Sequence, residues 1–244
     1  MPRIRQYHRP QSIQEALQLI SHPDVTTAVL AGGTNLLAQP DVDVDQVVDL
    51  QELGLNKIRV GQDTVAYGSM VRVQQIVEHN QSPALLRQTA QYEGPNTFRN
   101  VGTMGGLVVQ ADWESEFFAS LLVHKAVVRL MTQDGELSVP LSDLTREKIN
   151  NNLVVEVTIE SGGQGAHQRV ARTKSDRPIV AAVGRKDESG ELILAICGVS
   201  DRPVIVPQKK LENLNPPADF RGSSAYRRQV AIVLGQRVLN QLNP

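Results

Sequence analysis

Cysteine is nearly absent from this sequence of 244 residues, which contains only Cys197. A single thiol cannot form a disulfide within the chain, and it cannot supply the set of thiolates that an iron–sulfur cluster or a structural zinc site requires. The five histidines are scattered singly, without the paired spacing of a zinc site. We therefore predict no metal site, and redox chemistry would have to come from a bound organic cofactor or from another subunit.

Long apolar runs and a strong net charge of either sign are also missing. The apolar runs are too short to cross a bilayer, and the opening segment "MPRIRQYHRP" lacks the apolar stretch of a secretory signal. The formal net charge of −1 offers no broad basic surface for nucleic acid. These absences predict a cytoplasmic protein that neither spans a membrane nor binds nucleic acid.

The first fifty residues read as a small β-α-β-like unit. Ser12 and Glu15 have capping-box spacing, and the apolar residues Ile13, Ala16, Leu17 and Ile20 fall on one helical face. A β-prone run over residues 26–30 then enters a glycine turn, and "QVVDL" predicts a second strand.

Hairpin signals predominate after residue 55. Strands are predicted over "KIRVG", "TVAYGSM", "AVVRLMT", "ELSV", "LVVEVTIE", "RVART", "PIVAAVG", "ELILAICGV" and "RPVIV". Helices are predicted over "VQQIVEH", over "SPALLRQTAQY" with Ser82 as its cap, and from about Ser224 to Leu242. Because helices and strands mix without strict alternation, the pattern favours an α+β fold over a doubly wound parallel sheet. The segment "SGGQG" predicts a flexible boundary.

Two glycine segments stand out, "AGGT" at residues 31–34 and "GTMGG" at residues 102–106. Glycine lets a ligand approach the backbone, and successive exposed N–H groups beside the hydroxyls of Thr34 and Thr103 suit a phosphate. Each segment alone is more often a simple turn. The dinucleotide fingerprint GxGxxG and the P-loop are both absent. Two separate segments can instead grip one diphosphate from opposite sides.

These motifs carry a family resemblance. "AGGTNLL", "RNVGTMGG" and the following "ADWESEFFASLL" resemble the FAD-binding (medium) subunits of molybdenum hydroxylases, the family of the carbon monoxide dehydrogenase medium subunit and the xanthine dehydrogenase flavin domain. "RTKSDRPIVAAV", "ICGVSDRPV" and "SAYRRQVAIVL" resemble its C-terminal domain. The resemblance implies two α/β FAD-binding subdomains, residues 1–55 and 56–163, and a C-terminal antiparallel-sheet and helix domain, residues 164–244.

The resemblance also implies the cofactor, FAD, and its binding residues. Carried over position by position, one side of the diphosphate is lined by Ala31, Gly32, Gly33, Thr34, Asn35 and Leu36, and the other by Asn100, Thr103, Gly105 and Gly106. Asp112 and Glu116 open the following helix, with Glu116 near the adenosine end of the cofactor. Arg169 falls where a lysine near the flavin ring is common, and a cation there would favour the reduced flavin.

This sequence departs from the family pattern at several positions. Leu107 replaces an asparagine after the second Gly-Gly, Asn35 replaces an aspartate, and Asp112-Trp113 replaces Ser-Pro. The chain also looks shorter than the family by about one helix between "RPVIVP" and "SSAYRR".

The function that the resemblance implies is electron transfer within a hetero-oligomer. FAD would carry electrons from a molybdenum-cofactor large subunit and an iron–sulfur small subunit to an acceptor such as NAD, a quinone or dioxygen. Leu107 and the shortened tail motivate an alternative, a family member whose flavin site has decayed and which serves as an assembly subunit. A stand-alone flavin enzyme is a third hypothesis.

Several other residues have competing interpretations. Asp112, Glu114 and Glu116 suit a metal ion, but alternating acids at a helix start more often complement the helix dipole. Trp113 suits either a cofactor ring or the core, whereas Phe117 is predicted to be core. Cys197 is predicted to be a small buried apolar residue. Arg227 and Arg228 are predicted to be solvated surface residues.

Overall fold

A parallel three-stranded sheet forms the N-terminal part of the chain. The computed structural model describes residues 3–38 and 43–243. The strands are β1 (Arg3–His8), β2 (Thr27–Leu30) and β3 (Asp43–Asp49), in the order β1-β3-β2, and helix α1 (Ile13–Ile20) connects β1 to β2. The predicted helix is confirmed, and the Ser12 hydroxyl caps it by accepting from the Glu15 N–H. The apolar face of α1 packs with Val48 and Leu50.

Strand β1 is not predicted by the sequence pattern. Its Ile4 is 38% exposed and its Tyr7 is 53% exposed, because β1 is an edge strand with little surface to bury. An edge strand of this kind has no apolar alternation to detect. Parallel backbone pairing with β3 holds β1 in the sheet, and exposed Arg5 lies 3.0 Å from Asp43 and 2.9 Å from Asp45 across that pair of strands.

An antiparallel five-stranded sheet forms the middle of the chain. Its strands are β4 (Ile58–Val60), β5 (Thr64–Gly68), β6 (Val127–Thr132), β7 (Gly135–Pro140) and β8 (Leu153–Glu160), in the order β4-β5-β8-β6-β7. The helices are α2 (Val73–Glu78), α3 (Ala84–Tyr92), α4 (Asn96–Arg99), α5 (Met104–Gln110) and α6 (Glu116–Val123), with α7 (Arg146–Ile149) before β8. The largest core cluster lies here and includes Phe117 and Phe118, so the core position predicted for Phe117 is confirmed.

A four-stranded antiparallel sheet and one long helix complete the fold. The strands are β9 (Gln164–Val170), β10 (Val180–Lys186), β11 (Leu192–Cys197) and β12 (Val204–Ile205), in the order β12-β11-β10-β9, and α8 (Ser224–Leu242) packs on this sheet. Strand β9 begins inside the "SGGQG" segment. Cys197 is fully buried, as predicted. The α+β prediction is confirmed, and no helix of the described residues is long and apolar enough to span a membrane.

Ser82 does not cap helix α3, contrary to the prediction. Its hydroxyl accepts a 2.8 Å hydrogen bond from the hydroxyl of buried Tyr67, and Pro83 occupies the capping position without a side-chain bond. A buried tyrosine hydroxyl needs a partner, and that tertiary requirement overrides the local capping preference. Burial also raises the pKa of Tyr67 to about 12.

His124, at the end of α6, is expected to make stability depend on pH. Burial lowers the pKa of its imidazole from 6.5 to about 4, so protonation favours the unfolded chain. The free energy of unfolding is therefore expected to fall by about 3 kcal/mol as the pH drops from 6.5 to about 4. Urea denaturation across this pH range measures the free energy of unfolding of the wild type and of His124→Gln. The glutamine retains a donor for the Ser120 carbonyl but does not titrate. An equal pH slope in both proteins would contradict the assignment.

Candidate functional site

The two glycine segments contact each other directly. A Cβ atom on Gly32 would lie 1.9 Å from the carbonyl oxygen of Val101 and 3.3 Å from the Cα of Gly102. No side chain fits at that distance, so Gly32 is required because one stretch of backbone packs against another. This contact joins the N-terminal sheet to the loop that precedes α5.

A cavity of about 740 Å³ lies beside this contact, and both glycine segments line it. The predicted residues that line it are Ala31, Gly32, Gly33, Thr34, Asn35, Leu36, Thr103, Gly105 and Gly106. Strand β2 forms a further wall, and residues 146–147 and 149–154 close the opposite side. The structure thus brings together most of the predicted diphosphate residues in one cleft.

The first glycine segment presents unsatisfied backbone donors. Gly33 has a left-handed φ of 72°, and its carbonyl accepts from the Leu37 N–H at 3.1 Å. Within the described residues, the N–H groups of Gly32, Gly33 and Thr34 donate to no acceptor. Adjacent free N–H groups at the edge of a cavity form a concavity suited to an anion.

The second segment is a helix start rather than a glycine turn, which corrects the sequence interpretation. The N–H groups of Met104 and Gly105 donate to the carbonyls of Val71 and Ser69, each at 2.8 Å. The Gly106 N–H donates to the Thr103 hydroxyl at 3.2 Å, because Thr103 is the N-cap of α5. The segment therefore offers the Thr103 hydroxyl and a wall without side chains at Gly105 and Gly106, but no row of free amides.

Thr103 caps α5 and is predicted to bind the diphosphate of FAD, and two substitutions test these two roles. Thr103→Ala is expected to lower the free energy of unfolding by about 1 kcal/mol, because the helix cap is lost. The same change is expected to weaken FAD binding about fivefold, because one hydroxyl donor is lost. Thr103→Ser, which keeps the hydroxyl, is expected to retain both properties. Urea denaturation and FAD titration measure the two effects, and an unchanged FAD affinity in Thr103→Ala would contradict the second.

The remaining predicted residues lie away from this cavity. Asn100 donates to the Asn96 carbonyl at 2.9 Å, and Asp112 accepts from the Glu114 N–H at 2.9 Å. Neither residue lines the cavity, and the same is true of Glu116 and Arg169. Their contribution to FAD binding stays a prediction.

Glu116 and Arg169 form a buried ion pair, so the residue predicted near the adenosine end and the residue predicted near the flavin ring lie side by side. The Arg169 Nε donates to the Glu116 Oε1 at 2.7 Å, and the carboxylate is almost fully buried. The guanidinium also donates to the carbonyls of Lys174 and Asp176 and lies 4.6 Å from the centre of the Tyr92 ring. A buried carboxylate requires a cation, and here that cation comes from β9.

The acidic turn at residues 112–116 is matched by arginines from the C-terminal part of the chain. Asp112 lies 3.7 Å from Arg177, and Glu114 pairs with Arg221. No group of residues suited to a metal ion occurs in the part of the chain that the structure describes. The acids of this turn therefore act mainly as ion-pair partners between the middle and C-terminal sheets.

Arg227 is fully buried, contrary to the surface position predicted for it. Its guanidinium donates to the carbonyls of Ile179 and Gly198, lies 2.7 Å from Asp219, and stacks 4.7 Å from the centre of the Trp113 ring. Trp113 therefore covers an arginine. An isolated Arg-Arg pair in a sequence gives no sign of burial, so this role depended on the tertiary contacts.

Buried Glu93 was also missed. Burial raises the pKa of its carboxyl, while Arg177 at 2.8 Å and the Ser115 hydroxyl at 2.9 Å oppose that shift. No motif surrounds Glu93 in the sequence, and only the approach of Arg177 explains a buried acid at this position.

Comparisons with known proteins show to which family the chain belongs. Residues 3–159 match the family described as the FAD binding domain in molybdopterin dehydrogenase. The chain belongs to this family. FAD is therefore the cofactor of its N-terminal and middle sheets, and the flavoprotein resemblance read from the sequence is confirmed.

Relatives and solved structures extend the similarity over nearly the whole chain. The glyceraldehyde dehydrogenase medium chain of Sulfolobus acidocaldarius is 28% identical, covering 97% of each chain. The 6-hydroxypseudooxynicotine dehydrogenase complex subunit alpha of Paenarthrobacter nicotinovorans is 25% identical, covering 93% of this chain and 90% of that subunit. A solved carbon monoxide dehydrogenase chain from Hydrogenophaga pseudoflava shares the fold with a TM-score of 0.88, at 21% identity and 99% and 98% coverage of this and that chain.

The cavity of this family member fits FAD. Its volume of about 740 Å³ lies within the roughly 300–1,000 Å³ of typical ligand sites. The free amides of Gly32, Gly33 and Thr34 suit a diphosphate, and Leu36 and Val109 supply apolar surface. Arg146 also lines the cavity, and it has no ion-pair partner among residues 3–38 and 43–243.

Proposed function

We propose that this protein is the flavoprotein subunit of a molybdenum hydroxylase-type oxidoreductase. In this role it passes electrons from redox centres in partner subunits, through FAD, to an external acceptor such as NAD, a quinone or dioxygen. The observation that carries the proposal is a cleft lined both by residues 32–34, whose amides are free, and by Thr103 with its hydroxyl.

The chain's own groups would bind and orient the cofactor. The amides of Gly32, Gly33 and Thr34 would donate to one side of the diphosphate, and the Thr103 hydroxyl to the other. Arg146 would add positive charge, which favours a doubly anionic group. When bound, FAD supplies the ability to accept and release electrons singly or in pairs.

The partners in this proposal are a large subunit with the molybdenum cofactor and a small iron–sulfur subunit. The single cysteine cannot ligate an iron–sulfur cluster. Relatives are named as a medium chain and as a subunit of a dehydrogenase complex, which supports an oligomeric assembly. We also propose a cytoplasmic location and domain limits of 1–55, 56–163 and 164–244.

FAD uptake by the purified full chain tests the cofactor step. The protein is incubated with excess FAD, separated from free flavin by gel filtration, and measured by its flavin absorbance. Stoichiometric retention of FAD is expected. A colourless protein that binds no FAD at high micromolar concentration would contradict the proposal. Co-purification of molybdenum and iron with the chain from its native host tests the partners.

An assembly subunit with a decayed flavin site is the second candidate function. The bonded amides of α5 favour it, because the second glycine segment offers a diphosphate fewer donors than expected. Leu107, in place of the family's asparagine, is 4% exposed and packs in the core. Capture of a molybdenum-containing subunit by flavin-free protein would support this candidate, and loss of that interaction on removing FAD would count against it.

A further inference from the structure

Phe220 lies at the tip of the turn 219–222, which precedes helix α8. Its side chain is 88% exposed, and among the described residues the next most exposed large apolar side chain is Leu37, at 58%. Turns are usually built from glycine, proline, asparagine, aspartate or serine, so the local backbone gives no reason for a phenylalanine. Leaving a phenyl ring in water also forgoes the stabilisation that burial gives. The fold of this chain therefore does not explain Phe220.

The turn that carries Phe220 is held rigidly. Its ends pair through backbone hydrogen bonds, since the Asp219 N–H donates to the Gly222 carbonyl at 3.1 Å and the Gly222 N–H to the Asp219 carbonyl at 3.3 Å. The Asp219 carboxylate also accepts from the N–H groups of Arg221 and Gly222, at 2.9 and 3.1 Å. A tip fixed in this way loses little conformational freedom when it binds, so it is a preorganised contact.

Two ion pairs fix the same turn to the rest of the chain. Arg221 pairs with Glu114, in the turn after α5, and buried Arg227 lies 2.7 Å from Asp219. The Arg221 guanidinium also lies 5.6 Å from the centre of the Phe220 ring. The side chains of Arg221 and Asp219 are only 15% and 23% exposed, so Phe220 is the group that the turn presents to solvent.

Phe220 is the centre of a small apolar surface, which we term the Phe220 patch. Isolated apolar residues are common on protein surfaces and need no partner. Here Tyr226, 44% exposed, lies against the turn, since a Cβ atom on Gly222 would be 3.0 Å from its ring. The residues just before the turn are exposed as well. The patch comprises Pro217, Ala218, Phe220 and Tyr226.

The segment 208–228, which contains the Phe220 patch, is basic. Its cations without an ion-pair partner among the described residues are Lys209, Lys210 and Arg228, against one such acid, Glu212. Both lysines are exposed. A partner surface with acidic residues around an apolar pocket would complement this arrangement of charge.

We propose that the Phe220 patch docks on the molybdenum-cofactor large subunit, an inference that rests on the proposed function. The ring of Phe220 would enter an apolar pocket with an acidic rim. Rigidly held aromatic side chains at the centre of an interface are typical of the residues that contribute most to binding. A second copy of this chain does not fit, because two such patches face to face would bring like charges together.

The position of the patch selects between the two partner subunits. Among the described residues, those that line the cavity that we propose for FAD all lie before residue 155. Strands β9–β12 and helix α8 therefore contribute none of its walls. The iron–sulfur subunit must approach the cofactor to exchange electrons with it, so it docks near the N-terminal and middle sheets. The C-terminal surface that carries Phe220 is then available to the large subunit.

Photo-crosslinking from position 220 tests this inference in the assembled complex. The full chain is tagged, expressed in its native host with Phe220→p-benzoylphenylalanine, and irradiated after purification. Mass spectrometry of the crosslinked peptides identifies the partner. A crosslink to the molybdenum-containing subunit is expected. A crosslink to the iron–sulfur subunit or to a second copy of this chain, or the lack of any crosslink, would overturn the assignment.

Phe220→Ala measures how much the ring contributes to docking. The molybdenum that co-purifies per mole of tagged chain is expected to fall at least about tenfold. FAD uptake and the urea midpoint are expected to equal those of the wild type, because the ring is exposed and the hydrogen bonds of the turn do not involve it. Leu137→Ala is the matched control, since it removes a 43% exposed apolar side chain from edge strand β7. It should retain molybdenum, and an equal loss in both variants would contradict a specific role for the patch.

The outcomes separate this inference from the proposed function. Full retention of molybdenum by Phe220→Ala protein that takes up FAD normally would overturn the docking assignment alone. Wild-type protein that takes up no FAD, or that co-purifies with no molybdenum, would overturn the proposed function and the inference with it.

Discussion

Gly32→Ala is expected to lower the free energy of unfolding by about 3 kcal/mol and to abolish stoichiometric FAD uptake. The added Cβ would lie 1.9 Å from the Val101 carbonyl oxygen, and neither partner is a flexible side chain. The N-terminal turn and the loop before α5 must then separate by more than an ångström. Because the cavity that we propose for FAD lies at this contact, the free amides of residues 32–34 would move away from Thr103.

Gly106→Ala is the matched control for the stability part of this prediction. Its Cβ would meet only the Thr103 Oγ1, at 3.0 Å, so the fold should tolerate it. Alanine also has a higher helix propensity than glycine, by about 1 kcal/mol. Urea denaturation compares the two variants, and FAD absorbance after gel filtration measures cofactor uptake by Gly32→Ala protein. Gly32→Ala protein as stable as Gly106→Ala protein would show that the two segments do not pack as described.

Arg227→Met is expected to lower the free energy of unfolding by about 3–5 kcal/mol, a large fraction of a typical total of about 5–15 kcal/mol. Methionine has a similar length but leaves the carbonyls of Ile179 and Gly198 without their buried donor. Asp219 would also lose its partner. Burial raises the pKa of the Asp219 carboxyl, but Arg227 and the N–H groups of Arg221 and Gly222 lower it further, to about 2.

The neighbouring residue provides the control for Arg227. Arg228 is only partly buried and donates to the Leu214 carbonyl at 2.6 Å, so Arg228→Met is expected to cost about 1 kcal/mol. Denaturation followed by circular dichroism compares the variants, and Trp113 fluorescence reports on the stacked ring directly. Equal costs for the two substitutions would contradict the buried role of Arg227.

Local patterns predicted the elements whose burial alternates. Helix α1, the β6–β7 hairpin and helix α8 follow from apolar spacing, capping and turn residues within each segment. Edge strand β1 was missed because its apolar residues stay exposed. The predicted capping role of Ser82 was wrong, because its hydroxyl accepts a hydrogen bond from buried Tyr67 instead.

The candidate site divides in the same way. The two glycine segments were predictable, because bare backbone and nearby hydroxyls are visible in the sequence. The part of the cavity wall that includes Arg146 was not predictable, since no pattern near Arg146 in the chain indicates its approach to the glycine segments. The pairing of Glu116 with Arg169 was hidden for the same reason.

By itself, the sequence determined the α+β pattern, the lack of metal-ligating thiols within the chain and the positions of the two glycine segments. These properties depend on residue type and on spacing over a few residues. Only the tertiary structure decided that Gly32 packs against Val101, that α5 uses its own first amides, and that Arg227 lies beneath Trp113. Those contacts join distant segments, and their energies come from burial and ion pairing that no local pattern records.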